Sequence, residues 1–240
     1  MALVAARAEL PLQIQRPIRG PAGAAVVTLL TPAGALFDGD TLSLDVQCGP
    51  GTDVTLVTTA ATKLNRCDTA GIRCQLDAHV AAGAVFRYLP HELIPFRGAA
   101  YRQDLAISLE ADARATLLEV IGPGPTSQPF NYAHLDMRTR AHLADEAIVH
   151  EHLVLTQDAE RALRGHSHYG SRLAFGPDLG QLAADEAHAF LARAGVHGSA
   201  SVLPAHGIGV KALGSSALEL RRALLRSVQV PCWLAELTTA

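Results

Sequence analysis

Thr41-Leu42-Ser43-Leu44-Asp45-Val46-Gln47-Cys48 alternates polar and apolar residues without a break, and Arg73-Cys74-Gln75-Leu76-Asp77-Ala78-His79-Val80 repeats the pattern. Successive side chains of a strand point to opposite faces, so each run describes a strand with one buried and one wet face. Leu105, Ile107 and Leu109 continue the same period. So do Leu135, Met137, Thr139, Ala141 and Leu143 against Asp136, Arg138, Arg140 and His142. The fold class is therefore mainly β. Small-residue turns around Gly51, Gly83 and Ala113 recur about thirty residues apart, each between a polar-ended strand and a second apolar one. Connections this short predict antiparallel pairs. A repeated hairpin with a long return gives either stacked antiparallel sheets or a β-helix-like wrap.

Helical periodicity enters late. Leu182, Ala183, Glu186, Ala189, Phe190 and Ala192 have the spacing of one helix face, with Gly195 as the stop. A second helix is predicted after Ser215-Ser216, an N-cap candidate, and runs through Leu218, Leu220, Leu224 and Leu225. Gly165-His166-Ser167-His168-Tyr169-Gly170 reads as a loop or a tight hairpin. No long Pro/Ser linker interrupts the chain. The expectation is one domain over residues 1–240, with a β core at about 10–165 and a helical appendage at about 178–237.

At 240 residues and 49% hydrophobic content the chain can bury a substantial core. A formal net charge of −3 with 20 Lys+Arg leaves no basic surplus for nucleic acid or an anionic membrane. The opening Met1-Ala2-Leu3-Val4-Ala5-Ala6-Arg7 carries a charge too early for a signal-peptide apolar region, and no stretch approaches a membrane span, so a cytoplasmic protein is expected. Four cysteines make no disulfide framework. Cys67 and Cys74 lie too far apart for a zinc knuckle, and Cys74 falls in phase with Leu76, Ala78 and Val80 as a core residue.

Eleven histidines invite a metal reading. His150-Glu151-His152 and His166-Ser167-His168 are His-x-His pairs, which on a strand share one face and can offer two imidazoles to one ion. The plainer reading is surface polar positions. A His/carboxylate metal-dependent hydrolase built on His150, His152 and Glu151 is the alternative function, but no third ligand or water-activating base stands at short spacing. Glu119 sits in Ala115-Thr116-Leu117-Leu118-Glu119-Val120-Ile121, apolar on both faces, and Glu151 shares a face with Val149, Leu153 and Leu155. A carboxylate buried there needs a partner, a water-filled passage or a cation. The structural partner would be Lys63, Arg87 or another base. Lys63 and Arg66 follow the small-residue run Thr58-Thr59-Ala60-Ala61-Thr62, with no glycines for a phosphate loop. No Gly-x-Ser-x-Gly elbow is present, so no nucleophile is set up for catalysis.

Several segments resemble the UreD (UreH) family of urease accessory proteins. The most specific are Ala60-Ala61-Thr62-Lys63 and Ile94-Pro95-Phe96, the latter within Tyr88-Leu89-Pro90-His91-Glu92-Leu93-Ile94-Pro95-Phe96. Leu10-Pro11-Leu12-Gln13-Ile14-Gln15-Arg16-Pro17 looks like the family's early Gln-Arg-Pro segment. Thr31 to Asp40, ending Phe37-Asp38-Gly39-Asp40, looks like its Gly-Gly…Gly-Asp element, with the aspartate at Asp40. Lys211-Ala212-Leu213-Gly214 is similar to the late Arg-x-Leu-Gly element. After Glu119 the chain departs from the family's Gly-Arg…Gly-Glu loop and reads Gly122-Pro123-Gly124-Pro125.

The resemblance implies a β scaffold without enzymatic activity that binds urease apoprotein and UreF, and through UreF the GTPase UreG. It implies no tightly bound cofactor, and a passage through which Ni2+ moves transiently toward the urease active site. By position, Asp40, Lys63, Glu119 and Glu151 are expected near that passage. The segment from Leu218 to Leu237 holds more apolar positions than one helical face buries. Leu224 and Trp233 are accordingly candidates for a partner interface, the other outcome being that they pack on the β core.

Overall fold

The computed structural model describes residues 5–20, 23–125, 129–144, 146–204 and 207–228. The alternating runs become the strands of a five-stranded sheet: β4 (Thr41–Cys48), β7 (Ile72–Val80), β10 (Ala100–Leu109), β12 (His134–Leu143) and β13 (Glu146–Leu155). A larger sheet faces it. Its order is β1 (Gln13–Ile14), β3 (Ala25–Leu30), β5 (Asp53–Thr58), β8 (Val85–Leu89), β11 (Arg114–Ile121), β14 (His168–Phe175), β16 (Gly207–Gly214) and β15 (His197–Leu203), with β2 (Ile18–Arg19) beside β3.

The chain winds between the two sheets as a solenoid, so of the two arrangements expected from sequence it is the β-helix-like wrap that holds. The antiparallel expectation is corrected for the body of the fold. β4, β7, β10 and β12 pair in parallel, as do β3, β5, β8 and β11. Antiparallel pairs occur at the two ends, where β1 and β2 meet β3 and where β13 to β16 close the far side. The cause lies in the turns. Gly49-Pro50-Gly51-Thr52, Ala81-Ala82-Gly83-Ala84 and Glu110-Ala111-Asp112-Ala113 each close with a hydrogen bond from the fourth residue to the first carbonyl, at 3.2, 3.0 and 3.2 Å. Each has its third residue at positive φ, and the third repeat carries it at Asp112, one position before the Ala113 of the sequence pattern. These turns pass the chain from one sheet to the other instead of folding it back on itself, so the strands they join never pair.

A short third face completes each coil. Leu36 bridges Leu64 in parallel, β6 (Thr62–Leu64) pairs with β9 (Leu93–Pro95), and β9 reaches β11 through Leu93 and Ile121. Thr62-Lys63 and Ile94-Pro95 therefore lie on adjacent rungs. Asp38 ties the corner beside them. Its carboxylate accepts from the amides of Asp68, Thr69, Ala70 and Gly71 and from the Thr69 hydroxyl, at 2.7 to 3.0 Å. Those donors, the Thr69 hydroxyl foremost, hold it far below the usual carboxylate range.

The outer face of the larger sheet is covered by helices. α2 (Gln181–Arg193) ends before Gly195 at φ 67°, and Ser216 caps α3 (Ala217–Ser227) by accepting from the Glu219 amide at 3.3 Å. Leu118 and Val120 pack there with Ala187, Leu191, Leu220 and Leu224, while Ala115, Leu117 and Ile121 face the solenoid interior. This double burial explains why β11 reads as apolar on both faces. Gly165–Gly170 is a loop only in part, because β14 starts at His168, and β15 and β16 run between the two helices. A single turn, α1 (Ala159–Ala162), precedes β14. Among the described residues no helix is long and apolar enough to cross a membrane.

Two buried arginines hold α3 down through backbone oxygens. Arg172 Nη1 donates to the carbonyls of Leu224 and Leu225 at 2.9 Å and of Val228 at 3.1 Å, where the helix dipole is negative. Arg221 donates to Leu89 O at 2.9 Å and to Pro90 O. Leu224 is fully buried and packs directly over Gly170. This corrects its reading as an interface residue, since a side chain enclosed by its own sheet has no surface left for a partner. Trp233 lies outside the described residues.

A Cβ at residue 170 would stand 2.5 Å from a Leu224 methyl and 3.0 Å from two Leu220 carbons. Gly170→Val is expected to lose about 1–3 kcal/mol of stability in a urea melt through overpacking, whereas Gly49→Ala, whose Cβ would meet nothing nearer than a Thr52 methyl at 3.9 Å, stays near wild type. A second expectation follows from Asp38. Its folded pKa is depressed, so its contribution is fully present above the carboxylate's unfolded value and is lost as pH falls from there through the folded one. Asp38→Ala should therefore lower the thermal midpoint at neutral pH, with the difference from wild type narrowing under acid.

Candidate functional site

Among the described residues, the buried interior of the solenoid is mostly apolar outside one strip. On the larger sheet Glu119, Ser171, Lys211 and Ser199 are successive partners across β11, β14, β16 and β15. On the facing sheet Gln103, Thr139 and Glu151 take the inward positions of β10, β12 and β13. Parallel or in-register pairing stacks like positions on like, so a polar residue placed inward in consecutive strands forms a file along the axis.

The inner end of the file is Glu119. Gln103 Nε2 donates to its carboxylate, and the Tyr101 hydroxyl donates to Gln103 Oε1 at 2.9 Å. Burial pushes Glu119 up to about 7; the Gln103 hydrogen bond opposes this, Glu151 adds to it, and Lys211 opposes it. The outer end is a second charge group. Lys211 Nζ donates to Glu151 Oε2 at 2.9 Å and to the Tyr169 hydroxyl at 3.0 Å. Burial alone would lower the Lys211 pKa, but Tyr169 and Glu151 outweigh it and raise it. Glu151 and Lys211 keep 29% and 45% of their side-chain surface, so this end opens toward solvent.

Glu119 also borders a cavity of about 60 Å³, with Cys74, Tyr88, Tyr101, Gln103 and Met137 on its buried wall and Thr58, Thr62 and His91 where it nears the surface. That volume is large enough for water. Outside it lies a depression of about 240 Å³ formed by residues 58–63 and 29–35, which shares Leu29, Thr31, Thr58 and Thr62 with the inner cavity. His91 marks the boundary, its Nδ1 3.3 Å from Thr58 Oγ1, and burial followed by the nearby Arg221 charge lowers its pKa.

The sequence candidates are thus distributed as follows. Glu119 and Glu151 lie on one polar file, and Lys63, itself exposed, lines the outer depression. Asp40 lines neither cavity; its Oδ2 accepts from the Phe37 amide at 2.8 Å within the turn. The partner of Glu151 is Lys211, not Lys63 or Arg87. Arg87 pairs instead with Asp53 at 2.5 Å. His150 and His152 face solvent directly opposite Arg140 and Arg138, and His152 Nε2 lies 2.7 Å from Asp136 Oδ1. Two neighbouring guanidiniums disfavour a cation there, and among the described residues no three His, Cys, Asp or Glu side chains converge as a metal site. His166 of the second His pair stacks on His197, ring centroids 5.3 Å apart. Gln103 is a residue the sequence reading passed over, although it falls in phase with Leu105, Ile107 and Leu109. Lys211 was equally visible as a lone charge between Val210 and Ala212.

The family model described as UreD urease accessory protein matches residues 1–239. A urease accessory protein UreD from Actinomyces naeslundii is 31% identical over 222 residues, covering 89% of this chain and 82% of the relative. One from Arthrobacter sp. strain FB24 is 28% identical over 229 residues, with coverages of 89% and 78%. Another from Deinococcus radiodurans is 34% identical over 130 residues, or 54% and 47% of the two chains. With the family matched across the sequence and the wound β architecture in place, the chain belongs to the UreD family of urease accessory proteins.

Proposed function

We propose that this protein is a non-catalytic scaffold of urease maturation whose interior file conducts nickel. The observation that supports this is the continuity of polar groups from the depression at Lys63, past the cavity at Glu119, to the Lys211–Glu151 pair at the open end. A carboxylate in a partly wet, low-dielectric interior attracts a passing dication far more strongly than one in bulk water. Two lysines offset that attraction, which suits a cargo that must leave again. Glu119, Glu151 and Lys63 are the residues assigned to this passage. Asp40 is proposed to shape the turn near it.

The partners proposed are urease apoprotein and UreF, with the nickel-carrying GTPase UreG recruited through UreF, in the cytoplasm. Ni2+ is the cargo, not a resident cofactor. On this reading the scaffold turns over no substrate of its own, and the hydrolase alternative has no observation in its favour, since its two imidazoles sit beside arginines.

Co-expression with urease and the other accessory proteins tests the reading. Glu119→Gln and Glu151→Gln preserve shape and remove charge. Each is expected to lower urease activation by roughly tenfold, equivalent to about 1.4 kcal/mol of lost cation attraction, while the accessory complex still co-purifies. Full activation with both variants, or loss traced wholly to failed assembly, would show the carboxylates to be structural.

The pH response gives an independent check. Glu119 has a folded pKa raised to about 7 from 4.5, so the native chain holds a proton that the unfolded chain releases. Its contribution to stability is fully present below the unfolded value and is lost as pH rises through about 7. Urea midpoints of wild type should fall relative to Glu119→Gln between about pH 5 and about pH 8. Ni2+ affinity should rise over the same interval, because the cation displaces that proton.

A further inference from the structure

Gln103 is out of place in its own row of side chains. Its in-register neighbours on the inner face of the five-stranded sheet are Cys74 and Met137, and beyond them Leu42 and Leu153, so one amide stands among weakly polar and apolar groups. It is buried, and a buried amide costs stability unless its oxygen and its nitrogen both find partners. Here they find different ones. The Tyr101 hydroxyl, two residues back on the same strand face, donates to Gln103 Oε1 at 2.9 Å, and Gln103 Nε2 donates across the interior to Glu119 Oε1. A hydroxyl has one proton to give. By giving it to the amide oxygen, Tyr101 fixes which end of the amide meets the carboxylate. The other oxygen of Glu119 has no hydrogen-bond partner among the described residues, and Glu119 borders the cavity.

Two polar side-chain links join the strands of the two sheets along the file, and they differ in charge. Lys211 meets Glu151 with an ammonium, which cancels that carboxylate; Gln103 meets Glu119 with a neutral amide, which does not. The titratable groups that face Glu119 are Cys74 and Tyr101 on the opposite sheet and Tyr88 beside it on β8, with Glu151 and Lys211 farther along the file. Burial keeps the first three uncharged at neutral pH, pushing the Cys74 thiol up to about 11 and both phenols well above their ordinary value. We propose that Gln103, oriented by Tyr101, is the positioning residue of the file: it holds Glu119 by one oxygen through a neutral donor and leaves the other oxygen, with its charge uncancelled, to the cavity. The use of this arrangement in conduction rests on the passage proposed above, whereas the hold on Glu119 belongs to the chain alone.

The test uses full-length protein and follows the Glu119 carboxyl carbon by NMR against pH, the signal being assigned by its loss in Glu119→Gln. The wild-type midpoint is expected at about 7. Gln103→Leu removes the donor and should raise the midpoint by at least about one pH unit. Tyr101→Phe should raise it as well, although both bonded partners are intact, because an amide freed of its orienting hydroxyl can turn its oxygen toward the carboxyl and favour the protonated form. A tyrosine that only fills space would leave the midpoint where it was. Gln103→Lys keeps a link between the sheets but puts a cation on Glu119. With the other accessory proteins it should still assemble and should lower urease activation by about tenfold, as Glu119→Gln does. Thermal melts establish that each variant is folded, and Gln103→Met replaces the leucine variant if that one does not melt cooperatively. An unchanged midpoint in folded Gln103→Leu or Tyr101→Phe overturns the assignment, as does full activation by Gln103→Lys where Glu119→Gln is impaired. The two readings fail separately. Shifted midpoints with normal urease activation in Glu119→Gln remove the passage and leave the hold on Glu119. Impaired activation in Glu119→Gln with a midpoint indifferent to Gln103 and Tyr101 does the reverse.

Discussion

Parallel, in-register pairing of β4, β7, β10 and β12 is the constraint on which the molecule depends. Nine consecutive partners join β7 to β10 and ten join β10 to β12, with no shift in either ladder. A slip of one residue would carry every inward side chain outward, exposing Leu76, Leu105 and Ile107 and burying Asp77, Asp104 and Arg138. The same register that protects the core puts Cys74, Gln103 and Met137 side by side. Interior chemistry and interior packing are thus set by one geometric fact.

Polar residues inside such a body need company. Glu119 has Gln103, Gln103 has Tyr101, and Glu151 has Lys211, which in turn has Tyr169. Removing one member of such a chain strands the next, because a buried polar group without a partner loses its hydration for nothing in return. The strip lies where coverage by the facing sheet runs out. β15 extends the larger sheet past β13, so the file runs from a closed interior to an accessible end within a few strands.

The period-two runs were legible because each inward residue meets a core and each outward residue meets water; Leu42 to Cys48 and Cys74 to Val80 fall on the strands they describe. Pairing direction was not legible. A four-residue turn such as Ala81-Ala82-Gly83-Ala84 closes a hairpin or hands the chain to another sheet, and only contacts across about thirty residues decide between them. β15 and β16 escaped for a related reason: Gly198, Gly207 and Gly209 break the alternation where neighbouring chain comes close. Of the candidate site, Glu119 and Glu151 stood out as charges at apolar positions. Their partners did not, since Lys211 is sixty positions from Glu151 and reaches it only once the solenoid has closed.

The anchoring of α3 has a consequence for how this protein can diverge. Arg172 grips main-chain oxygens at the end of the helix and, among the described residues, pairs with no acidic side chain there. Such an anchor is indifferent to which residues the helix carries, provided it stays helical and ends in the same place. The outward face of α3 is thereby released from any duty to hold the helix on the sheet, and it can be rewritten for whatever it meets without loosening the body beneath.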